Sequence, residues 1–165
     1  MSGPAMNKTP LFALLALLFI SACNSAPSQQ PLSTAPLAGA KIGGDFLLTD
    51  QNGKKRSFKE FDGSYRIVYF GYTNCPDICT PDMQNLMAGL KAYEKKNPEL
   101  GAKIQPIFIT VDPLRDTSAV LKQFVNAFHP RAIGLTGTEA EIAEVAKKFT
   151  IYSGRVEGSS PENYL

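Results

Sequence analysis

From Asp45 onward the apolar residues fall into short unbroken runs, separated by stretches in which they recur at helical spacing. Residues 66–72 form a compact β-branched and aromatic run, and residues 104–111 form a second. Both predict strands buried within a sheet. Residues 132–135 predict a short third strand. The intervening pattern predicts helices over 80–96, 117–128 and 139–149, the first with Leu86, Leu90 and Tyr93 on its inner face. Thr80, Pro81 and Asp82 offer that helix an N-cap, a proline at its first position and an acidic residue in its first turn. Ahead of these elements, residues 45–49 and 54–58 flank Asp50-Gln51-Asn52-Gly53 and predict a β-hairpin turned on the Asn-Gly pair.

The order strand, helix, strand, helix, strand, helix argues for an α/β fold with a mainly parallel sheet covered on both faces. Ligands of such sheets gather outside the carboxyl ends of the strands. Cys75 and Asp112 both follow a predicted strand directly, so they are expected to share one site.

The first 22 residues have a different pattern: a short leader containing Lys8, an apolar run over 11–20, then small residues. This predicts an export signal, because a spanning helix needs roughly 20 apolar residues. A permanent anchor is the alternative if the segment is longer than it looks. Ile20-Ser21-Ala22-Cys23 resembles the lipobox of bacterial lipoproteins, in which cleavage leaves the cysteine lipid-modified at the new N-terminus. Cys23 is then the membrane anchor, and several acyl chains on one residue give stable attachment. An ordinary signal peptide with an incidental cysteine is the other reading. Residues 24–40 are Ser, Pro, Ala, Gln and Gly with a few leucines and no charge, the composition of a flexible tether. The organisation expected is thus signal 1–22, tether 23–40 and a single domain 41–165.

Composition agrees with one domain. The 165 residues are 44% hydrophobic, enough for one core, and a dispersed net charge of +2 argues against a nucleic-acid partner. With Cys23 committed to lipid, two cysteines remain on the exported side, where thiols four residues apart rarely lie idle.

The most informative stretch is Tyr72-Thr73-Asn74-Cys75-Pro76-Asp77-Ile78-Cys79-Thr80-Pro81. Cysteines at i and i+4 can point the same way, near enough to form a disulfide or to grip one ion between two sulfurs. A helix N-terminus beside them favours the thiolate. A purely structural disulfide is the plainer alternative, although so short a ring gains little from loop closure. Soft thiolates suit Cu(I) or Zn(II), and a structural zinc site would want four protein ligands, so copper is the better fit. His129, the sole histidine, is expected to end a helix before Pro130, where a cationic ring suits the dipole, rather than to bind metal. Asp112, Arg115 and Asp116 have structural readings: Asp116 or Thr117 caps the next helix and Arg115 pairs with a carboxylate. The functional alternative has Asp112 tune the thiols or help receive copper. Asp77 reads as a loop residue of incidental charge.

At these residues the chain resembles the Sco/SenC copper chaperones, thioredoxin-fold proteins that help assemble the dinuclear copper site of cytochrome c oxidase. The resemblance rests on Phe70-Gly71-Tyr72-Thr73-Asn74-Cys75-Pro76-Asp77-Ile78-Cys79, on Val111-Asp112-Pro113-Leu114-Arg115-Asp116-Thr117, and on Phe128-His129-Pro130-Arg131 followed by Ile133-Gly134-Leu135-Thr136-Gly137. It implies a thioredoxin-like fold and copper bound through Cys75, Cys79 and a histidine near the end of the domain. It also implies the copper-bearing oxidase subunit as partner, and a bacterial cell-envelope location outside the cytoplasm. That histidine follows a segment similar to Glu162-Asn163-Tyr164-Leu165, where this sequence stops. The domain is therefore expected to be C-terminally truncated, lacking its last strands and closing helix, with one sheet edge unpaired and weak stability. Metal delivery is favoured over enzyme activity. The alternative is a thiol-disulfide oxidoreductase acting through the same two cysteines on exported or oxidase-subunit thiols. A peroxide-reducing enzyme of related fold fits less well, since residues 72–80 lack a single peroxidatic cysteine arrangement.

Overall fold

The computed structural model describes residues 37–156. The signal segment, Cys23, most of the tether and the closing residues 157–165 lie outside the described residues. Ile42 onward forms one compact unit, separate from the unit of Met1–Lys41.

Strands β1 (Leu47–Asp50) and β2 (Lys55–Ser57) form the expected hairpin. Its turn is held by Asp50, whose Oδ1 accepts from the Asn52 and Lys54 N–H groups at 2.8 and 2.9 Å. Gly53 adopts φ 79°, the left-handed conformation that the Asn-Gly pair supplies. A capped 3-10 turn (Phe58–Phe61) then leads to β3 (Tyr65–Gly71).

Helix α1 (Cys79–Lys96) and a short α2 (Pro98–Ala102) follow, then β4 (Ile104–Thr110), α3 (Ser118–Phe128), β5 (Ile133–Thr136) and α4 (Glu139–Lys148). The five strands lie in the order β2-β1-β5-β4-β3. β3, β4 and β5 are parallel, and the hairpin joins β5 antiparallel through β1. The sheet is mixed, with the predicted parallel part at its centre and on one side.

Strand alternation divides the core. Ile107 and Ile109 point to one face, with Leu48, Phe61, Leu135, Ile142 and Val145 under α4. Phe108, between them, points to the other, with Met83, Met87, Leu90, Leu121 and Val125 under α1 and α3. Both faces are covered, as the element order implied.

Two expectations change. β3 was expected to be buried, yet it is an outer strand of the sheet among the described residues, and only Gly71 in it is buried. The inner stripe of α1 is Cys79, Met83, Met87 and Leu90, whereas Leu86 and Tyr93 are 38% and 40% exposed. The helix starts two residues earlier than a Thr80 cap with Pro81 at the first position would have it, and Thr80 does not cap it. Pro81 sits at the third helical position, where its missing N–H is one that the first turn could not have bonded anyway.

Candidate functional site: a thiol pair at the end of an outer strand

The loop 72–78 leaves β3 at Gly71 and enters α1 at Cys79. Starting the helix at Cys79 gives the two cysteines different surroundings. Cys79 heads the inner stripe and is 5% exposed, while Cys75 stays half-buried in the loop, both as free thiols. The N–H of Cys79 is one of the helix's unbonded donors, and the Cys75 Sγ accepts it at 3.4 Å. No side-chain oxygen caps this helix, so sulfur takes that role.

These contacts set the acidity of the pair. Burial pushes the Cys75 thiol up, but the Cys79 side chain and the N–H groups of Asp77, Cys79 and Ile78 outweigh it and hold Cys75 below the usual thiol value. Cys79 moves the other way, raised by burial first and then by bonding to Cys75. The two thiols therefore differ in acidity, Cys75 being the one more readily ionised.

Gly71 makes the packing possible. A Cβ there would lie 2.9 Å from the Tyr69 ring, 3.2 Å from Cys79 Sγ and 3.3 Å from Phe108. The absence of a side chain lets the sulfur settle against the sheet. Spacing arguments did not single out this glycine; its place at the end of an apolar run just before the cysteine loop is the signal that could have.

Asp116 supplies the second anchor. It is fully buried and accepts three hydrogen bonds, from Thr73 N–H at 3.0 Å, Thr73 Oγ1 at 2.6 Å and Thr110 Oγ1 at 2.6 Å. Thr117, not Asp116, caps α3, accepting from the Val120 N–H. Of the two candidate caps, then, one holds the cysteine loop to β4 instead.

Asp112 follows β4 as expected and is 7% exposed, paired with the Arg115 guanidinium. Arg115 in turn lies 5.7 Å from the Tyr72 ring centroid. Asp112 lines a small cavity with Tyr72 and Arg115, whereas the wall of the cysteine groove is Val111. The structure therefore connects Asp112 to the thiol loop through Arg115 and Tyr72.

His129 is removed from the site. It ends α3 as expected but is buried at 2% exposure, its Nδ1 accepting from the Arg131 N–H at 3.2 Å and its Nε2 facing Glu94 at 3.2 Å. Both ring nitrogens are thus engaged, one with the Arg131 backbone and the other with a carboxylate from α1. Among the described residues, no three Cys, His, Asp or Glu side chains gather where they could hold one ion.

The groove over the thiols has a volume of about 580 Å³ and is walled by Tyr72, Pro76, Ile78, Val111 and Tyr152. Ile78 is 58% exposed and Tyr152 96% exposed. Thr150, at φ 58°, turns the chain out of α4 so that Ile151 to Val156 return along this groove.

The SCO1/SenC family model matches residues 34–165. An SCO2-like protein of Rickettsia felis is 42% identical over 139 residues, which are 79% of this chain and 66% of that protein; the chain thus spans just under two thirds of its relative's length. A copper-bound ScoI from Arabidopsis thaliana superposes with a TM-score of 0.68 at 39% identity, covering 75% of this chain and 74% of that one. BsSco, a member of the Sco family of cytochrome c oxidase assembly proteins in which a disulfide switch was identified, gives a TM-score of 0.57 at 29% identity, covering 69% of this chain and 68% of its own. These likenesses bear out the α/β, thioredoxin-like fold expected from the sequence.

Proposed function

The chain belongs to the SCO1/SenC family, and from that premise we propose that it is a copper-delivery protein that holds its cargo between Cys75 and Cys79 for assembly of the copper site of cytochrome c oxidase. The observation that carries this reading is the sulfur pair itself: two free thiols, one capping the other's N–H, at a groove with no third candidate ligand beside them among the described residues. Two thiolates and little else suit Cu(I), whereas Cu(II) and Zn(II) want more donors. The cargo leaves by ligand exchange to a partner richer in sulfur or nitrogen, here the copper-bearing oxidase subunit. The groove is far larger than an ion needs and is rimmed by exposed apolar residues, as suits handover between proteins rather than storage. Asp112 contributes indirectly, by fixing Arg115 against Tyr72 at the groove's edge.

Cys23 carries lipid in this proposal, residues 1–22 are the cleaved signal, and residues 24–40 tether the domain to the cell-envelope membrane outside the cytoplasm. Among the described residues no helix is long and apolar enough to cross a membrane.

The test is anaerobic titration of the reduced chain with Cu(I). One equivalent is expected to bind, with loss of binding in Cys75→Ser and in Cys79→Ser, and with weak Cu(II) binding by comparison. A folded, reduced chain that ignores Cu(I) would overturn the proposal.

The unequal acidity of the thiols supports a second reading, a thiol-disulfide oxidoreductase. Here the Cys75 thiolate attacks a partner disulfide and releases one partner thiolate. Cys79, losing its proton, then attacks the Cys75 sulfur and releases the second, leaving Cys75–Cys79 as the disulfide. Turnover of a disulfide substrate by metal-free protein with an external thiol reductant favours this reading.

A further inference from the structure

The cysteine loop opens with a short turn whose fastening has a consequence for the sulfurs. Gly71, the last residue of β3, accepts the Val111 N–H at 2.8 Å, which closes the pairing of this strand with the β4 end. Just beyond, the Cys75 N–H donates back to the Tyr72 carbonyl at 3.3 Å, so residues 72–75 form a closed turn. Thr73 is the first residue inside it, and both its N–H and its hydroxyl go to the Asp116 carboxylate. Cys75 ends the turn, and its Sγ receives the Cys79 N–H at 3.4 Å. Asp116 is itself held, its N–H donating to the Asp112 carbonyl at 3.0 Å and its carboxylate taking the buried Thr110 hydroxyl. A line of printed contacts therefore runs from β4 through one buried carboxylate and one turn to the sulfur that caps Cys79.

We propose that Asp116 is a positioning residue for the thiol pair: through Thr73 it fixes the 72–75 turn, so that Cys75 is already held over Cys79 before a cargo or a partner arrives. Asp116 acts here on distance and direction, through the turn. Two thiols held together can close a disulfide, or grip one ion, without first ordering the loop, and the entropy that is not lost appears as a higher effective concentration of one sulfur at the other. A carboxylate suits the task, because charge-assisted hydrogen bonds are the strong ones and two to the same residue fix its orientation as well as its place. The inference rests on the thiol-pair reading of the site, but it needs no copper. It is tested on the metal-free protein, so failure to bind Cu(I) and failure of this proposal are separate results.

The experiment is equilibration of the full chain, carrying Cys23→Ser so that only the pair reacts, against mixtures of oxidised and reduced dithiothreitol at fixed pH. The Cys75–Cys79 bond forms as the reagent's disulfide opens, and the two thiol protons pass to the reagent's sulfurs. Trapping the free thiols reads the ratio of disulfide to dithiol. Thr73→Ala removes the hydroxyl that donates to Asp116 and is expected to lower that ratio about tenfold, as loss of a charge-assisted hydrogen bond should. Thr73→Ser keeps the hydroxyl and is expected to stay with the parent. Asp116→Asn weakens both bonds to Thr73 and is expected to shift the ratio the same way as Thr73→Ala; in the double variant the two effects should not add, because they break one contact. Val145→Ala, which truncates a buried side chain in the opposite core, lowers stability without touching the loop and should leave the ratio alone. The proposal is overturned by a Thr73→Ala ratio that rises or stays within about twofold of the parent, the size of an ordinary surface effect. It is equally overturned if Thr73→Ser or Val145→Ala moves the ratio as far as Thr73→Ala does, or if the Thr73 and Asp116 effects add in full. Near-UV circular dichroism of each variant reports the fold.

Discussion

Thr73 and Asp116 stand 43 positions apart in the chain and are joined twice, by the Thr73 N–H to Oδ2 at 3.0 Å and the Thr73 hydroxyl to Oδ1 at 2.6 Å. Two residues before Cys75, the loop is thereby fastened to the turn that follows β4. The same carboxylate takes the Thr110 hydroxyl, whose oxygen accepts the Asp112 N–H at 2.9 Å. A chain of hydrogen bonds thus runs from the cysteine loop into the strand end that carries Asp112.

Removing that anchor should be costly. Asp116→Ala strands three donors, the buried Thr110 hydroxyl and the half-buried Thr73 N–H and hydroxyl; a buried donor left unmade costs roughly 1–3 kcal/mol, the half-buried pair less because water can reach them. A loss of about 3 kcal/mol in unfolding free energy is expected from urea denaturation at neutral pH. A loss below about 0.5 kcal/mol, the range of ordinary surface substitutions, would show that the loop does not depend on it.

Gly71 should tolerate no side chain. In Gly71→Ala the new methyl meets Tyr69, Cys79 Sγ and Phe108 at 2.9 to 3.3 Å. Overpacking of this kind costs about 1–3 kcal/mol. Thermal unfolding should show that loss, accompanied by faster alkylation of Cys79 as the sulfur is driven outward; unchanged protection of Cys79 would contradict the packing described.

The two thiols should react in order. Cys75 is held below, and Cys79 pushed above, the usual thiol range. With substoichiometric iodoacetamide at pH 7, peptide mapping is expected to find the label on Cys75 in large excess. Equal labelling would mean that the Cys79 N–H and its neighbours do not stabilise the Cys75 thiolate.

Acid should loosen the far side of the domain. Burial raises Glu94, but Arg131 and His129 outweigh burial and hold its carboxyl below the usual value. Because the folded value is the lower one, the stability Glu94 contributes is complete above an unfolded carboxyl value of about 4.3 and is lost as pH falls through the folded value. Arg131 also donates to the carbonyls of Gly101, Ala102 and Ile104, so the clamp joins α1 to the start of β4. Denaturation between pH 3 and 6 should therefore give a steeper decline for the parent chain than for Glu94→Gln. Parallel curves would remove Glu94 from the acid response.

Much of the site could be read directly from the chain. The order of apolar runs and helical stretches carried the α/β architecture, because each element's burial period is a local property. The spacing of Cys75 and Cys79, and their place after a strand, marked the chemistry for the same reason. Where α1 begins was misread, since Thr80-Pro81-Asp82 is locally a sound cap; the fold starts the helix at Cys79 by placing Cys79, Met83, Met87 and Leu90 against the sheet.

What only the tertiary structure decided is the division of labour between equivalent-looking residues. Two thiols four apart are alike in sequence, and become unlike because one heads a buried stripe while the other accepts its N–H from the loop. Asp116 and Thr117 were equal candidates for one cap, until Thr73 and Thr110, from two other segments, claimed Asp116. The run 66–72 reads as a buried strand because apolar faces are written in the residues, whereas a strand's place in the sheet depends on which neighbours its backbone meets. Periodicity and motif determined the elements and the reactive atoms; long-range contacts, between residues tens of positions apart, determined their acidity, exposure and support.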